Sequence, residues 1–340
     1  MKIRWIAALM ALMMLLSLCA CGKQKGESEE ESRPVKQGEE YPVELRDTVI
    51  RTEPEKVVSL SPALTDLLQD MGLQDKLAGI SDYCDAAGLE DLTRCGTPQQ
   101  VDFDAIGKTG AKLVVTSTAL AKDDTVKLQQ MDVDVVVLPR AATLDELEAV
   151  YVDLGRAVAG NTAGRQKGQA LWDDFSSRLD SLADRGKAYA ETKGGAPTVI
   201  FLRMLDYTMA TGDTLENKLL EKMGFKNLAA EYGDWTYPQS AAAALTPDLI
   251  ISDQAITIPV LEKNAVYKGT QAVIKDRVVT VDSACFERQT PAMLDDLGRV
   301  ADFLFDGKTD ARTAQDSSAP SADEGSSSQQ QDASSQGKVI

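Results

Sequence analysis

The feature that most constrains this chain is an internal repeat. Residues 67–79 read LLQDMGLQDKLAG and residues 219–230 read LLEKMGFKNLAA, so the two stretches align with one gap. Downstream of each lies one member of a second pair of similar stretches, which begin at Asp104 and at Ser240. Chance similarity between amphipathic helices is the alternative, but both halves keep the order helix, glycine, strand. The repeat predicts two similar lobes, and two such lobes enclose a cleft in which a ligand can bind.

The N-terminus has the composition of a secretory signal peptide, predicted to cover residues 1–20. Lys2 and Arg4 precede an apolar run that is too short for a comfortable membrane span. The run leads into LCACG, which resembles the bacterial lipobox. Cys21 is the predicted lipidation site because the small Ala20 precedes it, and secretion without lipid is the alternative. Several acyl chains on one cysteine would anchor the protein firmly.

Composition divides the rest of the chain into a folded body and two polar ends. Residues 21–48 are rich in Glu, Gly and Lys and are predicted to form a disordered, lipid-anchored linker. Residues 307–340 are mainly Ser, Gln, Asp and Ala without periodicity, which indicates a disordered tail. The body is predicted to contain an N-terminal lobe (49–141), a connecting helix (142–190) and a C-terminal lobe (191–306).

The body alternates short apolar strands with helices. The β-branched stretches include KVVSL and DVVVL, which are typical of strands in a buried parallel sheet. Between the halves, Leu144, Leu147, Tyr151 and Leu154 recur at helical spacing. The predicted fold class is therefore α/β, with two similar Rossmann-like lobes joined by a long backbone helix and a ligand cleft between the lobes.

Composition also excludes several functions. The formal net charge is −17, which argues against nucleic acid as a partner, because phosphate binding requires clustered Lys and Arg. The chain contains no histidine, which removes Ser-His-Asp and Cys-His catalysis in their usual forms and His-ligated metals or haem. We therefore predict no enzyme activity, no catalytic residue, no resident metal and no cofactor.

Three cysteines remain beyond the predicted lipidation site. Cys84 and Cys95 are close enough in sequence to form a disulfide in an oxidising compartment, and two free buried thiols are the alternative. Cys285 is left over. No CxxC motif occurs, so the sequence gives no support for a zinc ribbon or a thioredoxin-like site.

Two stretches carry a family resemblance. They read VVSLSPALTDLLQDMGLQDKLAGISDYCD, and KNAVYKGTQAVIKDRVVTVD followed by ERQTP. Both resemble the two-lobed, helical-backbone solute-binding proteins of ABC importers, which bind cobalamin, haem or ferric siderophores. The resemblance covers about residues 55–305. It implies little hinge closure and a monomer that is lipid-anchored outside the cytoplasm of a bacterial cell. It also implies capture of a bulky metal chelate or corrinoid for delivery to an ABC permease and its ATPase subunits.

Ligands in open α/β sheets bind at the carboxyl ends of strands, which places three loops at the cleft. Ser61 precedes a helix whose N-terminus could face an anionic group, and it is also the predicted helix N-cap. Tyr83 could stack on a flat ligand, with an ordinary surface loop as the alternative. Arg203 could pair with a ligand carboxylate or phosphate, with a salt bridge to Asp206 or another neighbour as the alternative.

Further predicted ligand contacts are Tyr207, Trp235, Tyr237, Phe286 and Arg288. Tyrosine and tryptophan give a large flat contact at low entropic cost, which suits a macrocycle. Packing of Trp235 inside its lobe is the alternative. Arg288 aligns with an arginine that often opens the family's closing segment, and it could instead cap the last helix.

The predicted permease-docking residues depart from the family pattern. The resemblance implies one glutamate on each lobe, and these positions fall on Asp104 and Ser240. Asp104 keeps the charge on a shorter side chain, or is simply an N-terminal helix acid. Ser240 loses the charge, although Asp102, Glu231 or Asp234 could replace it. The loss favours the alternative function, a non-transport sensor or scaffold lipoprotein on the same fold.

Overall fold

The computed structural model describes residues 39–242 and 244–310, and the structural statements below concern these residues. The predicted signal peptide, the predicted lipidation site at Cys21 and the tail from residue 311 onwards lie outside them. Within the described part of the chain, every helix is too short or too polar to cross a membrane.

The N-terminal lobe is built around a parallel sheet. Its strands are β1 (Val43–Leu45), β2 (Thr48–Ile50), β3 (Val57–Ser59), β4 (Leu77–Ile80), β5 (Thr93–Arg94), β6 (Gly96–Thr97), β7 (Gln100–Val101), β8 (Leu113–Thr116) and β9 (Asp134–Val137). Its helices are α1 (Pro62–Asp70), a 3-10 turn (Gln74–Lys76), α2 (Phe103–Thr109) and α3 (Lys122–Gln130). The sheet has the order β5-β4-β3-β8-β9, and all its pairs are parallel. Strands β3 and β8 are buried throughout, as expected for a sheet covered on both faces.

The predicted connecting helix consists of two helices, α4 (Leu144–Ala159) and α5 (Arg165–Lys193), separated by a π-helical turn (Gly160–Gly164). A β-carbon at Gly155 would lie 2.2 Å from the carbonyl oxygen of Gly164, so the two backbones touch. Only glycine permits this approach, and it lets α5 return antiparallel along α4. The 29-residue α5 is the long backbone helix that the sequence predicts.

The C-terminal lobe contains a second, smaller parallel sheet. Its strands are β10 (Thr198–Leu202), β11 (Lys226–Asn227), β12 (Leu249–Asp253) and β13 (Val278–Val281), in the order β11-β10-β12-β13. Its helices are α6 (Leu215–Lys222), α7 (Gln239–Ala242), α8 (Ile258–Lys263), α9 (Gln271–Ile274), α10 (Ser283–Arg288) and α11 (Met293–Leu304). The order of elements repeats that of β4-β3-β8-β9, so the prediction of two similar α/β lobes is confirmed.

The repeated sequence has the same conformation in both lobes. The C-cap residues of α1 and α6 are Met71 and Met223. The next residues, Gly72 and Gly224, have positive φ angles of 65° and 85°. Glycine is favoured in this left-handed conformation, which ends the helix and turns the chain towards the next strand. The internal similarity is therefore a repeat of structure and not of composition alone.

Both repeated helix ends are attached to α5. Lys167 Nζ donates a hydrogen bond to the carbonyl oxygen of Met71 at 3.1 Å. In the other lobe a β-carbon at Gly186 would lie 1.9 Å from the carbonyl oxygen of Met223, so backbone meets backbone. Lys167 and Gly186 are 19 residues apart, or about 28 Å along a helix axis. One helix thus sets the spacing of the two lobes.

The folded body begins earlier than the predicted lobe boundary. Residues 39–48 were assigned to the linker, but β1 and β2 form an antiparallel hairpin that buries Val43, Leu45 and Ile50. The carboxylate of Glu40 accepts hydrogen bonds from main-chain N–H groups of the π-helical turn. These short strands carry only three residues each, too few for a clear alternating pattern in the sequence.

The body also ends later than predicted. Asp310 falls in the predicted tail, yet it is buried, and its carboxylate lies 2.7 Å from the guanidinium of Arg299 in α11. A buried carboxylate needs such a partner, because an unpaired one would be strongly desolvated. The pair fixes residues just after α11 to the C-terminal lobe.

Candidate functional site

The carboxyl ends of the strands in the two lobes meet at a common junction. Arg140 follows β9 in the N-terminal lobe, and its Nη2 donates a hydrogen bond to the carbonyl oxygen of Phe286 at 3.3 Å. Phe286 lies in α10, directly after β13 of the other lobe. The carboxyl ends of parallel strands are where ligands of open α/β sheets bind. The junction is therefore the candidate ligand cleft.

Gln289 connects the two lobes through buried hydrogen bonds. Its side-chain amide accepts from the N–H of Ala141 at 2.8 Å and donates to the carbonyl oxygen of Ala141 at 2.7 Å. Its own carbonyl oxygen accepts from the Tyr151 hydroxyl at 2.8 Å. Both main-chain polar groups of Ala141 are thus satisfied from the opposite lobe, which limits the freedom of the lobes to move apart.

Arg288, a predicted ligand contact, is engaged by two carboxylates of the N-terminal lobe. Its guanidinium lies 3.0 Å from Asp66 and 2.5 Å from Asp85, and its side chain is 26% exposed. Burial raises the pKa of Asp66, while the hydrogen bond and charge of Arg288 act in the opposite direction. In this arrangement Arg288 bridges the lobes, instead of capping the last helix.

Arg203 and Trp235, two predicted ligand contacts, are brought together. The Arg203 guanidinium lies 5.1 Å from the centroid of the Trp235 ring, a cation–π geometry, and its side chain is only 16% exposed. It also forms an ion pair with Glu287 of α10. The alternative of a salt bridge to a neighbour is therefore what the structure contains, although Asp206 is not the partner. Asp206 instead accepts a hydrogen bond from the Thr208 hydroxyl at 2.7 Å.

Exposed apolar side chains stand on both lobes. Tyr83 follows β4 and is 68% exposed, and Met204 follows β10 and is 57% exposed. Leu205 is exposed beside Met204. The sequence analysis missed Met204 and Leu205, although their position straight after the strand TVIFL was a usable signal. Apolar groups at the carboxyl ends of strands offer contact to a large, flat ligand.

Two predicted ligand contacts, Phe286 and Tyr237, are buried among core residues. The ring of Phe286 is buried and meets that of Phe201 edge to face, with 5.1 Å between centroids. Tyr237 is buried against Tyr232, with 4.8 Å between centroids. Aromatic rings gain most from packing with other rings in the interior, and a ring covered in this way has no face left for a ligand.

Ser61 and Tyr207 have structural surroundings. Ser61 is buried; its hydroxyl accepts from the N–H of Leu64 as the N-cap of α1 and donates to Ser117 at 2.9 Å. Those bonds use the hydroxyl, so Ser61 offers the cleft no free donor. Tyr207 is partly buried against the core of the C-terminal lobe and has a φ of 71°, unusual for a tyrosine.

Glu216 is an unusual buried acid at the junction. It lies in the first turn of α6, and its Oε1 has no hydrogen-bond partner in the described part of the chain. The nearest cation is the Nη2 of Arg140, 4.0 Å away. Burial raises the pKa of Glu216, the charges of Arg140 and Arg203 lower it, and the charge of Glu287 raises it again.

The raised pKa of Glu216 predicts pH-dependent stability. Because the folded-state pKa lies above the ordinary value of 4.5, the native state binds this proton more readily than the unfolded chain does. The contribution of Glu216 to stability therefore increases as the pH falls through the window between the two values. Glu216→Gln abolishes that titration. We expect the free energy of unfolding of the wild type, relative to this variant, to rise as the pH falls towards 4.5 in urea denaturation. A difference independent of pH would contradict the assignment.

The two predicted docking residues occupy equivalent places in the repeat. Asp104 is exposed in the first turn of α2, directly before β8, and Ser240 is exposed in α7, before β12. The helix N-cap of α2 is Asp102, whose carboxylate accepts from the N–H of Ala105 at 2.9 Å. Asp104 is therefore free of the capping role, and docking through these positions stays a prediction.

Cys84 and Cys95 are free, buried thiols. The Cys84 sulfur lies 3.3 Å from the Thr65 hydroxyl, and burial raises the pKa of Cys95 to about 11. Of the two alternatives left open by the sequence, the structure contains the unpaired one. Within the part of the chain that the structure describes, no cluster of three or more Cys, Asp or Glu side chains could hold a metal ion.

Two similar lobes on one helix, with facing strand ends and an open junction, define a two-lobed solute-binding protein. The chain belongs to the Periplasmic binding protein family, whose model matches residues 57–285. The resemblance to solute-binding proteins of ABC importers is thereby confirmed. Members of this family bind solutes for transport and are not enzymes.

Individual relatives have low sequence identity to this chain, but the similarity covers most of each protein. An uncharacterized ABC transporter substrate-binding lipoprotein, YvrC of Bacillus subtilis (strain 168), is 23% identical over 311 residues, 88% of this chain and 96% of that protein. The vitamin B12-binding protein of Vibrio cholerae is 25% identical over 259 residues, 74% of this chain and 89% of that protein. A periplasmic heme binding protein from Pseudomonas aeruginosa has a TM-score of 0.61 at 21% identity, over 75% of this chain and 94% of that chain. The last likeness shows the fold alone.

Proposed function

We propose that this protein is an extracytoplasmic substrate-binding lipoprotein that captures a bulky metal chelate or corrinoid and delivers it to an ABC permease. The observation that carries the proposal is the pair of exposed apolar side chains at the strand ends, Tyr83 on one lobe and Met204 on the other. Single exposed apolar residues are common, but two at the carboxyl ends of the two sheets suit the faces of a large planar ligand.

Among bulky ligands, a corrinoid is favoured. The relatives include proteins named for binding cobalamin or vitamin B12, and structural neighbours named for binding heme. A chain without histidine could offer haem iron only tyrosine, methionine or a cysteine thiolate as a ligand. In addition, Arg203 and Arg288 are already paired with carboxylates of the protein, so they are poor partners for the two carboxylates of haem.

The membrane anchor and the permease partner are the less direct parts of the proposal. The N-terminal sequence with Cys21 supports a lipid anchor, and the similar Bacillus protein is itself described as a lipoprotein. Exposed Asp104 and Ser240, at equivalent positions of the two lobes, support docking along one face of the molecule. Docking through one acid instead of two would be weaker or would use a different permease surface.

A ligand panel tests the proposal. Cyanocobalamin, cobinamide, haemin, and ferric hydroxamate and catecholate siderophores are added separately to the purified protein, and thermal unfolding is recorded. A ligand present at a hundred times its dissociation constant adds about 2.7 kcal/mol to the free energy of unfolding. We expect cyanocobalamin to raise the melting temperature clearly. No shift with any member of the panel would sink the proposed function.

Matched variants connect the panel to the cleft. Tyr83→Ala removes an exposed apolar side chain at the cleft, and Ile274→Ala removes one that is 60% exposed on α9. Only the first should weaken ligand binding, by about tenfold, because large aromatic contacts dominate such sites. Equal effects of the two substitutions would place the ligand elsewhere.

A non-transport sensor or scaffold on the same fold is the second candidate. The uncharged Ser240 at the predicted docking position favours it. Binding of a corrinoid by the protein, without any stimulation of ATP hydrolysis by a permease reconstituted with it, would support this candidate over a transport receptor.

A further inference from the structure

We propose that Arg140 is a ligand-binding residue that anchors a single oxyanion of the ligand. The inference rests on the proposed function, because it assigns a role within the same cleft. It concerns a residue that neither the sequence analysis nor the family resemblance singles out. The chemistry that it would recognise is a phosphodiester on an otherwise neutral macrocycle.

The arginines at the lobe junction differ in how closely carboxylates pair with them. Arg203 is paired with Glu287 and stacked on Trp235, and Arg288 is held by two aspartates. Each of these guanidinium groups is largely covered and already neutralised. Arg140 differs, because its side chain is 46% exposed and its nearest carboxylate, on Glu216, is 4.0 Å away.

Arg140 has hydrogen-bond donors that the protein does not use. A guanidinium has five N–H donors in a planar fork that matches an oxyanion. The hydrogen bond from Arg140 Nη2 to the Phe286 carbonyl oxygen, at 3.3 Å, fixes one edge of the group across the lobe junction. The remaining donors are not used by a close carboxylate. Arg140 is thus held in place by one hydrogen bond, while most of its N–H donors stay available to a ligand.

Arg140 lies at the strand ends where a ligand is expected to bind. It lines a small cavity between the lobes together with Ser117 and Leu138, at the carboxyl ends of β8 and β9, and with Arg288 and Gln289 of the opposite lobe. The hydrogen bond from its half-exposed guanidinium to the Phe286 carbonyl oxygen places that group where strand ends from both lobes converge. An anion bound there would contact the protein at the hydrogen-bonded junction between the lobes.

The charges at the junction limit the charge of the ligand. Glu287, Asp66 and Asp85 accompany the other arginines, so the junction carries at least as many carboxylates as arginines. A second anionic group on the ligand would meet these carboxylates without a free cation to compensate, and like charges in a partly buried site repel. The cleft is therefore suited to one oxyanion, as on the nucleotide arm of cobalamin, and not to two.

The test combines deletion of the side chain with deletion of the anion. Cyanocobalamin carries the phosphodiester and cobinamide lacks it, and both keep the neutral amide groups of the corrin ring. Isothermal titration calorimetry compares the full-length wild type with Arg140→Gln. We expect the variant to bind cyanocobalamin about tenfold to a hundredfold more weakly, the loss of one charge-assisted hydrogen bond. Its affinity for cobinamide should stay the same.

Two further variants complete the experiment. Arg140→Lys keeps the charge and should recover part of the loss for cyanocobalamin. Arg185→Gln removes an arginine that pairs with Asp302 and Asp306 on the outer face, and it should change neither affinity. If the wild type binds cyanocobalamin but not cobinamide, the comparison with cobinamide is replaced by the two variants. Weaker binding of cyanocobalamin by Arg140→Gln, with partial recovery in Arg140→Lys, then supports the anchor.

Two results would overturn the inference, and they are distinguishable. Unchanged cyanocobalamin binding by Arg140→Gln, or an equal loss for both corrinoids, refutes the anchor while leaving the proposed function intact. Binding of neither corrinoid by the wild type refutes the corrinoid form of the proposed function, and the anchor with it.

Discussion

Gln289→Ala is expected to lower the free energy of unfolding by about 2 to 5 kcal/mol, since two buried polar groups lose their partners. The side chain of Gln289 satisfies both the N–H and the carbonyl oxygen of Ala141 at distances below 3 Å. Alanine cannot replace either hydrogen bond. Both hydrogen bonds are buried, so water does not readily replace them and the desolvation of both groups is left uncompensated.

The loss should also weaken the coupling of the two lobes. Gln289 belongs to the C-terminal lobe, whereas Ala141 follows β9 of the N-terminal lobe. Urea denaturation followed by tryptophan fluorescence and by far-UV circular dichroism measures both effects. We expect one coincident transition for the wild type and two separated transitions for the variant, because lobes that no longer stabilise each other unfold independently.

Gln69→Ala is the matched control. The Gln69 amide donates a single hydrogen bond to the carbonyl oxygen of Ala87, at 3.1 Å and in an exposed setting. Water replaces such a bond readily, so the cost should stay below about 1 kcal/mol. If Gln289→Ala costs no more than this control, the side chain of Gln289 is not a buried fastening between the lobes.

Features of the chain that depend on local sequence could be predicted. Ser61 before Pro62 indicated a helix N-cap, and the hydroxyl does accept from the N–H of Leu64. The repeated Met-Gly pairs indicated helix ends, and both glycines have positive φ. These signals work because capping and helix termination involve residues only a few positions apart.

The candidate site depends on partners that are far apart in the chain. Arg288 pairs with Asp66 across 222 positions, and Arg203 pairs with Glu287 across 84. One sequence contains no record of which charges converge, so it could not identify Glu287 as the partner of Arg203 or Asp66 as the partner of Arg288. The same limit applies to the prediction that Phe286 contacts the ligand. This aromatic residue follows a strand end at the cleft, but its ring is buried in the core.

Arg140 shows that some of the missing information was available. It follows the strand DVVV just as Arg203 follows TVIFL. The rule that ligands bind at the carboxyl ends of parallel strands applies equally to both positions. What the rule cannot supply is the degree of pairing, and that distinguishes a covered arginine from an available one.

Gly186→Ala should lower the free energy of unfolding by about 1 to 3 kcal/mol, although alanine is the better helix former by about 1 kcal/mol. A β-carbon at Gly186 would lie 1.9 Å from the carbonyl oxygen of Met223, a contact with rigid backbone that no rotamer change relieves. Helix α5 would have to move away from the C-terminal lobe. The steric cost therefore exceeds the gain in helix propensity.

Gly298→Ala provides the opposite expectation from the same substitution. Gly298 lies inside α11, and a β-carbon there would meet nothing within 4 Å. This variant should be stabilised by up to about 1 kcal/mol, because only the helix propensity changes. Urea midpoints of the two variants should shift in opposite directions. If both shift upward, α5 does not cross the Met223 turn at backbone contact. Because Met223 is the C-cap of α6 and Glu216 lies in its first turn, this crossing lies at the end of the helix away from the cleft. The folded fraction of Gly186→Ala should therefore bind ligand with the affinity of the wild type, which separates a loss of stability from a loss of function.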